Sequence, residues 1–391
     1  MSIETGLIME RRLRTLFVTI YTPLRTDTGG HQRTSIIYNF LKENTDLDTL
    51  FLNVSHDKVE NTDNFFSYVI NINPSLSERI KSNLKLFSQY FITPKHKKCA
   101  KIYKEYTQRT KYDLIYFRFM ATAIKCGVED FSNVIIDVDD APWQVHKSLS
   151  NSPSLSWYKR LYCKLRLPLI EYNSKKLLHS CKYYLTANPD DVFSKNGMNL
   201  PNIPMNICLK EDNNVYNKNI MFVGLMKYYP NYEGMDHFIK NIWNEVIKQH
   251  PDANLFIVGK GTPDFLYKEW KNVKNVNVLG YVEELQDIYN KCSVVISPIY
   301  NGAGTNIKVL EALAMNKICV VSRFALKGFD KILSNREDLF VANNDNEFIE
   351  MLDILLSNPE RYNYIAKNGH EKVLKFFSKT YVTRILNKTI S

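Results

Sequence analysis

The chain has 391 residues, of which 45% are hydrophobic, 24% charged and 13% aromatic, and its formal net charge is +10. These values are typical of a globular protein of two or three domains and exclude disordered, collagen-like and disulfide-scaffold chains. No stretch has the roughly 20 apolar residues of a membrane helix, and the N-terminal residues predict no signal peptide.

The first half of the chain alternates strands and helices. Near-continuous apolar runs, typical of parallel strands buried on both faces, predict strands at residues 15–20, 49–54, 68–72, 113–117, 134–138 and 183–186. Between them lie helical stretches, including a long basic one at about 77–109 and another at about 156–181.

The second half repeats this alternation more regularly. Its predicted strands are 220–224, 254–259, 276–280, 294–298, 318–322 and 339–342, and its helices are about 232–249, 282–291, 306–315 and 345–357. The last stretch, 361–390, predicts two helices broken near Phe377 and Ser378. The sequence therefore predicts an α/β protein with a doubly wound, Rossmann-like sheet in each half.

A proline-rich stretch at 200–204 marks the predicted domain boundary. We expect an N-terminal domain at 1–204, a C-terminal domain at 205–375, and a terminal helix at 376–391 that packs back on the N-terminal domain. Ligands of open α/β sheets bind at the carboxyl ends of the strands. Two facing sheets of this kind predict a composite site in the cleft between the domains.

The clearest motif is a strand, a small-residue loop and a helix at 294–315. Gly302 and Gly304 allow close approach of the backbone, and the free amides of the helix N-terminus favour an anion. Lys308 adds a cation suited to a diphosphate, and Glu311, one turn further on, can accept two ribose hydroxyls. The alternative is an ordinary loop with a solvated lysine and a glutamate that complements the helix dipole.

This segment resembles the nucleotide-sugar loop of GT-B glycosyltransferases of the retaining group 1 (family four), whose pattern is a small-residue loop followed by K-V-L-E-A-M-A. Other pieces match in order: the 222–224 strand with Pro230-Asn231, the 251–259 strand, the turn at 278–282, and Gly29-Gly30 after the first strand. The resemblance is specific across about 220–329 and looser elsewhere.

The resemblance implies a donor site that takes a UDP- or GDP-sugar as substrate, with no cofactor and no metal. The implied donor-binding residues are Gly30, Gly224, Tyr281, Gly302, Ala303, Gly304, Thr305, Asn306, Ile307 and Glu311. Lys308 and Lys227 are the expected catalytic cations, because charge develops on the departing diphosphate.

The sequence also departs from the family pattern. Many relatives have a glutamate eight positions before the helix glutamate, where this chain has Ala303. The arginine that often follows the first C-domain strand is missing, and Lys227 is its candidate replacement. The histidine of the N-domain cleft loop is absent as well, and Asp139 or Asp140 lies near its expected position, which makes Asp139 a third candidate catalytic residue.

Three charged features remain open. The aspartates at 137, 139 and 140 include a D-x-D, which predicts acceptor contact, a turn or helix cap, or a divalent cation. Arg118 at a strand end predicts contact with an anionic acceptor or a salt bridge to Asp137 or Glu129. His31, directly after Gly30, is the histidine expected near the cleft, and with Arg118 and Asp140 completes the candidate acceptor site.

The positive charge is concentrated in the first half, with +8 for residues 1–205 and +2 for 206–391. Basic stretches with interleaved aromatics at 95–104 and 157–166 favour contact with anionic lipid or are simply solvated helix faces, and no motif indicates nucleic acid. The seven cysteines lack C-x-x-C spacing, which favours a reduced, cytoplasmic compartment.

Together these observations predict a retaining, metal-independent, hexosyltransferase-type enzyme. It moves a sugar from a nucleotide-diphosphate donor to a hydroxyl of a glycan or lipid-linked acceptor in cell-surface polysaccharide synthesis, at the inner face of the cytoplasmic membrane. A GT-B sugar-nucleotide 2-epimerase, an inactive GT-B subunit and a metal-dependent transferase that uses Asp137 and Asp139 remain alternatives.

Overall fold

A computed structural model describes residues 11–26, 28–152, 155–204, 217–302 and 305–391. The strands of this part of the chain form two sheets whose neighbouring strands all pair in parallel. The predicted α/β class, with one doubly wound sheet in each half, is confirmed.

The first sheet has the strand order β3-β2-β1-β4-β5-β6-β7. Its strands are β1 (Arg14–Thr19), β2 (Asp46–Asn53), β3 (Phe65–Val69), β4 (Leu114–Arg118), β5 (Val134–Asp139), β6 (Tyr183–Thr186) and β7 (Gly197–Asn199). Its helices are α1 (Gly29–Asn44), α2 (Leu76–Asn83), α3 (Lys97–Arg109), α4 (Met120–Cys126), α5 (Pro142–Asn151) and α6 (Trp157–Ser180). The order reverses between β1 and β4, which opens a crevice at their carboxyl ends.

The second sheet has the order β10-β9-β8-β11-β12-β13. Its strands are β8 (Asn219–Val223), β9 (Asn254–Val258), β10 (Val276–Gly280), β11 (Val294–Ser297), β12 (Ile318–Ser322) and β13 (Phe340–Ala342). Its helices are α7 (Tyr229–Phe238), α8 (Asn244–Gln249), α9 (Asp264–Trp270), α10 (Leu285–Lys291), α11 (Ile307–Ala314) and α12 (Asp345–Ser357). The reversal lies between β8 and β11, so the motif loop before α11 starts at this crevice.

Two helices follow the second sheet, α13 (Asn363–Phe376) and α14 (Lys379–Ile390). The predicted break near Phe377 and Ser378 is confirmed, and the Ser378 side chain caps α14 by accepting a hydrogen bond from the backbone of Tyr381. The helix α14 contacts α1 of the first half. Its buried Val382 and Leu386 belong to an apolar cluster that includes residues of both sheets.

The prediction of one long basic helix at 77–109 is wrong. The helix α2 ends at Asn83, a 3₁₀ turn follows at Gln89–Phe91, and α3 begins at Lys97. Pro94 lies between the turn and α3, and proline cannot donate the hydrogen bond that a continuous helix requires there. The short strand β7 was not predicted, because its three residues form no apolar run.

A buried network of two arginines and two aspartates fixes the carboxyl edge of the first sheet. Arg33 of α1 binds Asp137 through Nη2 at 2.6 Å and Nε at 2.9 Å. Arg118 at the end of β4 approaches Asp137 at 2.8 Å and Asp139 at 2.7 Å. Arg118 and Asp137 are fully buried and Arg33 is 3% exposed, so each charge depends on its partners for solvation.

Two non-glycine residues with positive φ lie beside this network. Phe119 follows Arg118 with φ +71° and Asp139 ends β5 with φ +57°. Such backbone costs about 1–3 kcal/mol per residue and persists only where surrounding contacts hold it. Here the Arg118 guanidinium lies 4.1 Å from the Phe119 ring centroid and binds Asp139, so one side chain contacts both strained residues.

We expect Arg118→Met to lower the free energy of unfolding by about 3–5 kcal/mol, because it leaves Asp137 and Asp139 buried with one fewer cation. Urea denaturation at neutral pH measures the change. Arg361→Met, at an exposed arginine, is the matched control and should change stability by less than about 0.5 kcal/mol. Equal stability of the two variants would show that Arg118 does not hold this edge.

Candidate functional site

The candidate site lies where the loop after β11 and the start of α11 meet the start of α1. Ala303 and Gly304 of the predicted loop lie outside the described residues. Gly302 has φ +128°, and a Cβ there would come within 3.1 Å of both the Pro230 ring and the Tyr228 hydroxyl. Glycine is therefore required here for both its backbone and its lack of a side chain.

Lys308 lies in the first turn of α11 and points along the end of β8. Its Nζ donates a hydrogen bond to Asn231 Oδ1 at 2.9 Å and lies 3.5 Å from Asn306 Oδ1. Asn231 is itself held by a 2.8 Å hydrogen bond to the Leu225 carbonyl. Burial lowers the pKa of Lys308 to about 8, although the nearby Glu311 carboxylate opposes the shift.

Glu311 faces α1 across the cleft. Burial raises its pKa, while a hydrogen bond from the Gln32 side chain and the charge of Lys308 oppose the shift. Nearby, a Cβ on Gly29 would come 3.7 Å from Ile307, so the starts of α1 and α11 are close. The sheets thus bring Lys308, Glu311 and the glycine loop to one cleft.

Further contacts tie the two halves together around this cleft. Asn202 donates to Thr305 Oγ1 at 3.0 Å and lies 3.5 Å from Asp139, so it joins the motif loop to the buried network. Lys327 donates to Gln144 at 3.2 Å. Through its contact with Asn202, Thr305 already has a hydrogen-bond partner in the first half of the chain.

Beside the loop, the carboxyl ends of β8, β9 and β10 pack closely, backbone against backbone. A Cβ on Gly259 would come 1.8 Å from the Gly224 carbonyl, and Gly259 N donates to the Gly280 carbonyl at 2.7 Å. Two candidate residues lie at the rim: Lys227 is exposed and runs along Gly261, and Tyr281 is 68% exposed. Among the described residues, no hydrogen bond joins Lys227 to Asn231 or Asn306, the partners of Lys308.

Gly30 and His31 lie in the first turn of α1. A Cβ on Gly30 would come 2.6 Å from the Tyr21 ring, so the packing leaves no room for a side chain at this position. His31 is 8% exposed, with its Nδ1 2.8 Å from Thr28 Oγ1 and its ring 5.0 Å from the ring of Tyr21. His31 thus packs against the cap of α1.

Of the charged residues at the first sheet's edge, Arg118 has the salt bridge to Asp137 that the sequence left as an alternative. Full burial leaves it no surface for a direct acceptor contact. Burial alone would raise the pKa of Asp139, but the Arg118 and Arg33 guanidiniums hold it below its usual value. Burial and the adjacent Asp139 raise the pKa of Asp140 to about 7.

The D-x-D motif is a poor fit to a metal site. Both of its carboxylates, Asp137 and Asp139, already bind guanidinium groups. Across the described ranges, no group of three or more histidine, cysteine, aspartate or glutamate side chains is arranged to hold a metal ion.

Sequence reasoning missed several residues of this site, namely Gln32, Arg33, Asn202 and the role of Asn231. Arg33 could have been found from the sequence, since it is a charged residue close to the apolar residues of the helix that begins at Gly29-Gly30. Asn202 had none, because its partners come from distant parts of the chain.

Comparison with known proteins finds similarity over parts of the sequence and over the fold. Residues 217–358 match the family model of glycosyl transferases group 1. An uncharacterized 44.6 kDa protein in the cps region of Klebsiella pneumoniae is 26% identical over 279 residues, covering 68% of this chain and 71% of that protein. An uncharacterized glycosyltransferase of Haemophilus influenzae is 30% identical over 158 residues, covering 37% of this chain and 41% of that protein.

Among solved structures, sucrose-phosphate synthase of Thermosynechococcus elongatus superposes with a TM-score of 0.67 at 14% identity, covering 96% of this chain and 98% of that chain. HepE of Anabaena in complex with UDP gives 0.59 at 11% identity, covering 97% and 99%. These likenesses show a shared fold over almost the whole length. The chain thus has the GT-B fold of these structures, and its residues 217–358 match the glycosyl transferases group 1.

Proposed function

We propose that this chain is a retaining glycosyltransferase, which moves a sugar from a nucleotide-diphosphate donor to a hydroxyl of a glycan or lipid-linked acceptor. The observation that carries the proposal is the placement of a cation, Lys308, and an acid, Glu311, on the first turns of α11, where Glu311 contacts Gln32 at the start of α1. The Anabaena protein of the same fold was solved with UDP, which supports a nucleotide-sugar donor.

The chemistry requires a charged diphosphate to leave. In our proposal the free amides at the start of α11 and the Lys308 ammonium stabilise that charge. Gly30 approaches the same phosphates from the other half, and Lys227 reaches them from the rim when the cleft closes. Glu311 accepts hydrogen bonds from the ribose, in place of the one it receives from Gln32.

The departing phosphate then takes the acceptor proton on the face it leaves, so the sugar keeps its configuration. This route needs no carboxylate nucleophile, in keeping with Ala303 at the position of the family's first glutamate. We assign the acceptor hydroxyl to the side of Asp140, which, with a pKa of about 7, can accept or donate a hydrogen bond at neutral pH. Arg118 acts as a positioning residue through Asp139.

We further propose a role in cell-surface polysaccharide synthesis at the inner face of the cytoplasmic membrane. The relative in the Klebsiella cps region supports this assignment. In the described part of the chain, no helix is long and apolar enough to cross a membrane.

The alternatives differ in what they require of the site. A metal-dependent transferase would need Asp137 and Asp139 to release their arginine partners. A sugar-nucleotide 2-epimerase would release a changed sugar nucleotide without an acceptor, and an inactive subunit would turn over no donor. Donor hydrolysis by the full chain, with UDP- and GDP-sugars and with or without EDTA, distinguishes the three.

We expect Lys308→Ala to lower turnover by about 100-fold or more, the usual loss when a preorganised charge stabiliser is removed. Released nucleoside diphosphate is the readout. Lys367→Ala, at an exposed lysine of α13, is the matched control and should keep wild-type turnover. Turnover of Lys308→Ala within a few-fold of wild type would remove Lys308 from the mechanism.

Donor affinity should depend on pH through both α11 side chains. Lys308 loses its charge as the pH rises through about 8, and Glu311 gains a proton at a higher pH than an ordinary glutamate. Affinity should therefore be highest between the two pKa values and fall by up to about tenfold per pH unit above 8.

Calorimetric titration with nucleoside diphosphate at constant ionic strength measures this profile. Lys308→Arg stays charged at alkaline pH and should lose the alkaline decline. A decline that persists unchanged in Lys308→Arg would assign the titration to another group.

A further inference from the structure

The first half carries two apolar helix stripes that face solvent. On α2, Leu76 and Ile80 are 76% and 54% exposed, and Leu84 after it is 77% exposed. On α6, Trp157 and Leu165 are 70% exposed each and lie eight residues apart, as Leu76 and Leu84 do. Helices of globular proteins normally turn such stripes toward the core, so exposed ones indicate an interaction surface.

The two stripes belong to one surface. Asn83 at the end of α2 donates to the Tyr162 hydroxyl of α6 at 3.2 Å. The 69% exposed Phe87 packs edge-on against Tyr172 of α6, with ring centroids 6.1 Å apart. We call this continuous patch, formed by α2, residues 84–87 and the outer side of α6, the apolar face.

Positive charge lines one side of the apolar face. A cavity of about 660 Å³ beside α2 is lined by four exposed lysines, Lys81, Lys85, Lys95 and Lys97, together with three serines. Two acids, Glu78 and Glu129, also line it, and Glu78 is engaged in the capping box of α2. Lys159 and Lys164 are exposed among the aromatics of α6.

We propose that the apolar face docks on an anionic lipid bilayer, with the side chains of α2 and α6 in the interface and the lysine-lined cavity against the phosphate headgroups. A bilayer fits better than a folded protein partner because it offers apolar depth and negative charge along the whole surface. Tryptophan and tyrosine at the boundary suit the headgroup level.

The position of the apolar face also fits the acceptor that we propose. Asp140 is followed by α5, and α5 packs along α6. A single helix, α5, therefore lies between Asp140 in the cleft and the apolar face on α6. This inference rests on the proposed function in one respect: a lipid-linked acceptor gives the enzyme a reason to bind a membrane.

The structure refines which basic residues take part. The sequence offered 95–104 and 157–166 as candidates for this role, but Lys98 on α3 donates to the carbonyl of Val69, the last residue of β3, at 3.0 Å. Only Lys95 and Lys97 of the first stretch line the cavity beside α2.

Flotation of the full chain with vesicles tests the proposal. We expect binding to equimolar phosphatidylglycerol and phosphatidylcholine, weak binding to phosphatidylcholine alone, and release in 1 M salt, where the Debye length is about 3 Å. Lys81→Gln/Lys85→Gln should weaken binding about ten- to thirtyfold, at about fivefold per lysine near the surface. Trp157→Ala/Leu165→Ala should weaken it about tenfold or more.

The controls lie in the second half, where Phe265 is 67% exposed and Lys248 and Lys268 are exposed. Phe265→Ala and Lys248→Gln/Lys268→Gln should bind vesicles as wild type does. All variants should keep wild-type affinity for nucleoside diphosphate, so loss of vesicle binding is separable from failure of the proposed function.

Three results would overturn the proposal: no binding to anionic vesicles, equal binding to neutral and anionic vesicles, or a wild-type dimer that Trp157→Ala/Leu165→Ala converts to monomers. The last would assign the apolar face to a second copy of the chain, and analytical ultracentrifugation measures it.

Discussion

The pairing of Arg33 and Arg118 with Asp137 and Asp139 is the interaction on which the site's architecture depends. Parallel sheets gather the carboxyl ends of their strands at one edge, and this chain places two carboxylates and a guanidinium there, away from water. Each charge is tolerable only because its partners replace the lost solvation. The network thereby holds the Phe119 and Asp139 turns and, through Asn202, reaches the loop of the other half.

From this edge the arrangement of the cleft follows. The first sheet supplies the glycine loop of α1 and the carboxylate of Asp140, and the second supplies the loop and start of α11. Burial acts on Lys308 and Glu311 in opposite senses, lowering the pKa of the cation and raising that of the acid. A ligand that places a diphosphate beside Lys308 and hydroxyl groups beside Glu311 would therefore stabilise the charged form of both side chains.

The sequence predicted those parts of the fold and site that are local in the chain. Buried parallel strands appear as apolar runs, and the α11 motif combines loop, cation and acid within ten residues. Partners from distant segments left no such trace: Gln32 opposite Glu311 and Asn202 beside Thr305 are ordinary polar residues in sequence. For Arg118 the sequence left open an anionic acceptor or a salt bridge to Asp137 or Glu129, and only the fold decides for Asp137, with Asp139 as a second partner. The prediction of one helix at 77–109 was wrong because it followed the basic composition of the stretch and overlooked Pro94, which a continuous helix does not tolerate.

The most direct measurement of the central claim, that the start of α11 holds a donor diphosphate, is calorimetric titration of the full chain with UDP, GDP and the two monophosphates. We expect at least one diphosphate to bind, more tightly than its monophosphate by about tenfold or more, the value of a hydrogen bond to a charged group. Lys308→Ala should remove most of that difference. Absence of binding by both diphosphates, or equal affinity for a diphosphate and its monophosphate, would contradict the claim.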